Sequence, residues 1–228
     1  MVKRLVTVAA TAAAFMVGGP ALAADLIIEE AAPVAVTGSS DWYVSLFAGG
    51  VWSNFDVNYN GNDPSTIDFD TGYNLGIAVG THVFDNLRGE IELSGGTSSA
   101  TDYEYDSGST GVAEGDLTTV YLLGNLWYEL DVGGSVKPYI GGGIGAGFAS
   151  SEIYYDNDDY GPGGDAVGLA YQIGAGVTFD VAEGVALDVG YRYKSIVGLE
   201  FDDLDGSGIY EDGSVHSHVV QAGVKFSF

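Results

Sequence analysis

The chain has 228 residues, 46% of them hydrophobic, and a formal charge of −25 with only seven Lys and Arg. So few cations exclude a nucleic-acid partner, because phosphate contacts need Lys and Arg. The absence of cysteine excludes disulfides and thiolate metal sites.

Met1–Arg4 carries two positive charges, Leu5–Val17 is an uncharged apolar run, and Ala21-Leu22-Ala23 is a small-x-small site. That layout predicts a secretory signal peptide over residues 1–23, cleaved before Ala24. Its apolar run is too short to span a bilayer as a helix. Cleavage takes Lys3 and Arg4 but no acid, so the formal charge becomes −27. Residues 24–40, ADLIIEEAAPVAVTGSS, join Pro33 to small residues and predict a flexible tether. About 200 residues remain, enough for one domain over 41–228 with a sizeable core. No later apolar run is long enough for a transmembrane helix. If the chain enters a membrane, it must do so as a closed barrel.

Strand-like segments follow at Asp41–Ser53, Thr71–Val83, Leu87–Gly96, Leu117–Glu129, Lys137–Ser150, Ala166–Phe179, Val185–Val197 and Val215–Phe228. Their spacers alternate in length. Asn54–Asp70, Thr97–Asp116, Ser151–Asp165 and Gly198–Ser214 are long, polar and rich in Asp and Gly. Phe84–Asn86, Leu130–Val136 and Asp180–Gly184 are short. Long loops on one side and tight turns on the other predict an eight-stranded antiparallel up-and-down transmembrane β-barrel. Both ends of the domain then lie on the periplasmic side. A soluble sandwich also uses seven to nine strands, but has no reason to sort loop length by edge.

Successive strand residues point to opposite faces. Val220, Ala222, Val224, Phe226 and Phe228 therefore oppose Gln221, Gly223, Lys225 and Ser227. Tyr73, Leu75, Ile77 and Val79 oppose Asn74, Gly76, Ala78 and Gly80. In the fourth segment, Val120, Leu122, Leu126 and Tyr128 form the expected lipid face, which turns Tyr121, Leu123 and Trp127 inward. Aromatic residues gather near segment ends, as in the girdles of membrane barrels.

Gly141, Gly143, Gly145 and Gly147 share one strand face and match no GxGxxG fingerprint, so no cofactor is expected. A glycine stripe on a lumen wall leaves room for long side chains. Arg88, Glu90, Glu92, Asp188, Arg192, Lys194 and Lys225 all fall on inward faces. A small barrel fills its interior with side chains, so these predict an ion-pair core in the lumen.

The long spacers are acidic, with Asp156, Asp158 and Asp159 in one and Asp202, Asp203 and Asp205 in another. Such oxygens are candidate weak ligands for divalent cations. Asp56, Asn58 and Asn60 match the first half of a calcium loop, but Ile67 stands where a bidentate Glu is needed. A solvated acidic surface is the competing reading, and no firm metal site is assigned. His82 stands alone, and His216 and His218 point away from Ser217, so no catalytic set assembles and no enzyme is expected.

DWYVSLFAGG, VKPYIGGGIGAGF, YQIGAGVTFDVAEGVALDVGYRYKS and the ending VVQAGVKFSF resemble the small outer-membrane proteins of the OmpA-like transmembrane-domain and surface-antigen group. The resemblance covers Asp41 to Phe228. It implies a barrel in the bacterial outer membrane, inserted by an assembly machinery that reads a C-terminal aromatic strand, here Phe226 and Phe228. Outer-membrane lipid and lipopolysaccharide are the expected surroundings, and host surface molecules are candidate partners. The expected function is structural, supporting the envelope and presenting acidic loops for adhesion. A lipid A-modifying barrel enzyme and a narrow ion channel are the alternatives.

Overall fold

The computed structural model describes residues 42–59, 63–105, 107–155, 159–203 and 209–228, with the side chains of 59, 63–64, 159–160 and 202–203 outside the description. Residues 1–41, which hold the predicted signal peptide and tether, lie outside it as well. The described strands are β1 (Trp42–Tyr59), β2 (Asp63–Phe69), β3 (Gly72–Phe84), β4 (Leu87–Tyr105), β5 (Thr110–Glu129), β6 (Val136–Tyr155), β7 (Asp159–Ala182), β8 (Val185–Asp203) and β9 (Ile209–Ser227).

Each strand pairs antiparallel with its neighbours, and β9 returns to β1 from Tyr43↔Ser227 to Tyr59↔Tyr210. β2 and β3 share one place in the ring. β2 pairs with Asn54–Tyr59 of β1 and with the end of β4, while β3 pairs with Trp42–Val51 and the start of β4. The nine strands therefore make a closed ring of eight. Closure gives each described strand a partner on both sides, a condition for a sheet that meets lipid. At one end, here the turn end, lie the turns Asp85–Asn86 and Glu183–Gly184, the 130–135 segment and the C-terminus. Gly184 takes φ 69°, a left-handed turn conformation that favours glycine.

The side-chain alternation follows the sequence. Val220 and Phe226 face outward while Gln221 and Lys225 are buried inside. Tyr121, Leu123 and Trp127 are each at most 2% exposed and point inward. The outer surface is an apolar band, on which Leu75, Ile144 and Ile173 are 56%, 61% and 60% exposed.

One expectation fails. Among the described residues the long polar spacers are mostly strand: β1 runs on to Tyr59, β4 to Tyr105, β6 to Tyr155 and β8 to Asp203. The extended strands raise a tall wall at the far end of the barrel. Local Asp, Gly and Ser content argued for loops, but strand preference depends on what a side chain packs against. Phe55 and Val57, Ile67 and Phe69, Ile153 and Tyr155, and Leu199 and Phe201 alternate inward and bury themselves.

Candidate functional site

The turn-end half of the lumen is polar, and β4 carries its centre. Leu93 faces outward, so the alternation puts Glu92 and Ser94 inside. Lys194 Nζ, from β8, donates to Glu92 Oε1 at 2.6 Å and to Ser94 Oγ at 2.7 Å. Gln172 and Asn125 donate to Glu92 Oε2 at 2.7 and 3.0 Å. Lys194 is 0% exposed. A buried ion pair persists only when its remaining hydrogen-bond capacity is met in this way.

Nearer the turn end, Arg88 Nε lies 2.7 Å from Glu129 Oε1, and Nη1 donates to Tyr43 OH. Tyr43 donates in turn to Glu90 Oε2 at 2.8 Å, and Trp127 Nε1 donates to Glu90 Oε1 at 3.2 Å. Arg192 and Lys225 behave differently from the expected ion-pair core: neither reaches a carboxylate directly among the described residues. Arg192 Nη2 donates to Tyr139 OH, which donates to Asp188 Oδ1, so the charges meet through a phenol. The guanidinium also lies 4.2 Å over the Trp127 ring. Lys225 Nζ sits 3.4 Å from Thr178 Oγ1 and 4.8 Å over the Tyr43 ring. Aromatic faces attract cations, which explains how both stay inside without contact pairs. A cavity of about 20 Å³ lies among Arg88, Glu90, Asp188, Arg192, Gln221 and Lys225. It has room for about one water, which can serve the unpaired Arg192 Nε and Gln221 Oε1.

Glu129, Tyr43, Tyr139, Trp127, Asn125 and Gln172 escaped the sequence reading, although alternation already placed Trp127 inside. The glycine stripe of β6 admits neighbours. A Cβ on Gly141 would meet Trp127 Cε3 at 2.7 Å, and one on Gly147 would meet Ile196 Cγ1 at 2.5 Å. The side chains it admits come from adjacent β5 as well as from β8.

The far-end half of the lumen is an apolar core that the sequence reading missed. Phe55, Ile67, Ile153, Ile196, Leu199 and Val215 are all 0% exposed. Phe55 meets Phe201 edge-on at 5.3 Å, and Tyr103 meets Tyr155 at 4.5 Å. Burial pushes the Tyr155 phenol well above its ordinary range, so it stays neutral. Apolar pairs two residues apart, inside stretches otherwise polar, are the signal that could have revealed this core.

Outside this core, the far-end wall carries Asp68, Asp102, Glu104, Glu114, Asp116, Glu152, Asp165, Glu200 and Asp212, all exposed. No Lys or Arg lies among the described residues of this wall. A surface groove of about 420 Å³ runs between Asp68, Asp102 and Glu104, beside Tyr103 and Val112. The calcium half-motif is not a loop here, because Asp56 and Asn58 lie in β1. Asp56 Oδ1 accepts from Thr66 Oγ1 at 2.8 Å, and Oδ2 lies 3.4 Å from His216 Nε2. Asn60, Asp156, Asp158 and Asp205 fall outside the described residues, as do the side chains of Asp159, Asp202 and Asp203.

The histidines are less isolated than the sequence implied. His82 Nε2 is 3.5 Å from Glu129 Oε2. His216 bridges Asp56 and Ser195, with Ser195 Oγ 3.0 Å from its Nδ1. This is a Ser–His–Asp chain in connectivity. A nucleophile needs access and oxyanion donors. Ser195 is 0% exposed, and Tyr193 OH lies 3.0 Å from the same Nδ1. Ser217 points inward to Ser53 at 2.8 Å.

A closed antiparallel ring of eight strands, apolar outside and filled inside, defines a transmembrane β-barrel. The sequence model of the outer membrane protein beta-barrel domain family matches residues 9–228, and the chain belongs to that family. It is therefore a protein of the bacterial outer membrane. A putative adhesin of Rickettsia conorii is 26% identical over 247 residues, covering 98% of this chain and 99% of its own. An uncharacterized protein of Brucella suis is 26% identical over 268 residues, covering 91% and 93%. Among solved structures, Neisserial surface protein A has TM-score 0.51 at 18% identity, covering 83% of this chain and 98% of that one. OprG from Pseudomonas aeruginosa has TM-score 0.51 at 14% identity, with the same coverage. These two likenesses concern the fold alone.

Proposed function

We propose that this is a non-enzymatic surface barrel that supports the envelope and holds its acidic far-end wall out of the cell for adhesion or host contact. Residues 1–23 direct export, residues 24–40 form a periplasmic tether, and both ends of the barrel domain face the periplasm. The assembly machinery reads Phe226, on the closing strand, and Phe228, just past its end, both of which are exposed. Lipopolysaccharide surrounds the band. The observation that carries the reading is the far-end wall, acidic throughout and free of Lys and Arg among its described residues. Such a field draws basic partners and repels acidic ones. The Rickettsia relative, called a putative adhesin, supports the same reading. A non-conducting role is supported by the two fillings of the lumen, polar below and apolar above. A non-catalytic role is supported by the burial of Ser195.

The test is adherence of bacteria that display the protein. The triple variant Asp68→Asn, Asp102→Asn and Glu104→Gln should lower attachment to host cells severalfold while the barrel's gel mobility stays unchanged. A turn-end Asp180→Asn variant should leave attachment intact. Unchanged attachment in the triple variant would argue against the acidic wall as the contact surface.

A further inference from the structure

Most outward side chains of the band are aliphatic, but one place combines rings with imidazole. Cross-strand pairing sets Trp52 of β1 beside His218 of β9, and His218 beside Tyr193 of β8. Tyr193 lies 5.3 Å from the His218 ring, and Tyr191 stacks on it at 6.0 Å and 28°. Trp52 and Tyr191 are each 43% exposed, so their surfaces remain open.

The height of this patch follows from the strand. Phe228 follows β9 at the turn end, and His218 is ten residues back along the chain. At about 3.4 Å per residue and a tilt of about 40°, the rise is about 26 Å, close to the ~25 Å height of a barrel's apolar band. The patch therefore sits at the far-end border between hydrocarbon and headgroups, where amphipathic rings are favoured.

The chemistry of His218 narrows what it meets. Tyr191 OH lies 2.6 Å from Nδ1. A phenol is a stronger acid than a neutral imidazole N–H, so the hydroxyl donates and the ring proton stays on Nε2. His218 is exposed, and its Nε2 has no protein acceptor among the described residues. At the edge of the hydrocarbon an unpaired N–H is disfavoured, so an oxygen-bearing neighbour is favoured. No Lys or Arg lies near it, which makes a phosphate clamp a poor fit. A sugar fits better: its oxygens accept from Nε2–H, and its C–H edges meet the electron-rich ring faces.

We infer that Trp52, Tyr191, Tyr193 and His218 form a docking patch for the sugar headgroup of an outer-leaflet glycolipid. The patch rests on the proposed outward orientation of the far end and adds a specific lipid contact to it.

The test is native mass spectrometry of the full barrel released from phosphatidylcholine nanodiscs. The nanodiscs carry either lipid A or an equal fraction of phosphatidylglycerol. The barrel should retain lipid A and not phosphatidylglycerol, and His218→Leu should lower lipid A retention about tenfold. Trp52→Leu reads the same patch should the first variant fail to fold, as judged by gel mobility. Equal retention of the two lipids, or unchanged retention in both variants, would overturn the patch. Orientation is read separately by impermeant labelling of Ser107→Cys on intact cells, where no labelling would overturn the outward reading itself.

Discussion

Replacing Lys194 by Met should destabilise the folded barrel by about 3–5 kcal/mol, the usual cost of stripping one partner from a buried pair. Glu92 would keep its hydrogen bonds from Gln172, Asn125 and Ser94 but lose the only cation that touches it among the described residues. No water can take the cation's place cheaply, because Lys194 is wholly buried between the polar and apolar halves of the lumen. The double variant Lys194→Met, Glu92→Leu should recover part of the loss, since an apolar pair of similar volume often matches a buried ion pair. Recovery should be incomplete, because Gln172 and Asn125 would then lose their acceptor. Guanidinium unfolding of the refolded barrel in micelles measures both. A single-variant change under about 1 kcal/mol would mean that the pair is hydrated after all.

Phe55→Ala should cost a similar amount, about 3–5 kcal/mol, by removing a ring from a packed core and leaving a cavity. Phe55 is 0% exposed and packs edge-on against Phe201 across the far-end lumen. Its neighbour Trp52 points outward, so Trp52→Leu should change stability by less than half as much. The same unfolding measurement decides it. If Phe55 lay in a solvated loop, as the sequence of its segment suggested, the change would stay near zero.

The outward and inward faces of the membrane-level strands were legible because period-two alternation is nearly unbroken there. Even Tyr121, Leu123 and Trp127, large apolar residues on an inner face, were placed by their neighbours Leu122 and Leu126. The far-end core was not legible. Phe55 and Val57 sit among Asn and Asp, and Leu199 and Phe201 between glycine and acids, so local propensity outvoted two apolar residues per strand. Only the closed ring brings these pairs to one axis, where mutual burial outweighs propensity. The ionic part of the lumen was half legible. Sequence placed Arg192 and Lys225 inside but could not reveal that Tyr139 and Tyr43 receive them in place of carboxylates. Those contacts depend on strand register, which a single sequence states poorly. His216 was likewise seen on the correct face, but its approach to Asp56 and Ser195 comes from pairing with β1 and β8.

The most direct test of a lipid-facing barrel uses single-cysteine spin labels from 219 to 226 of β9, on a chain with no native cysteine. In lipid vesicles, accessibility to oxygen should peak at Val220, Ala222, Val224 and Phe226 and fall at Gln221, Gly223 and Lys225. Accessibility to a water-soluble nickel complex should stay low at the peaks. A flat oxygen profile, or nickel reaching Val220, Ala222 and Val224, would contradict a barrel whose oily face meets lipid.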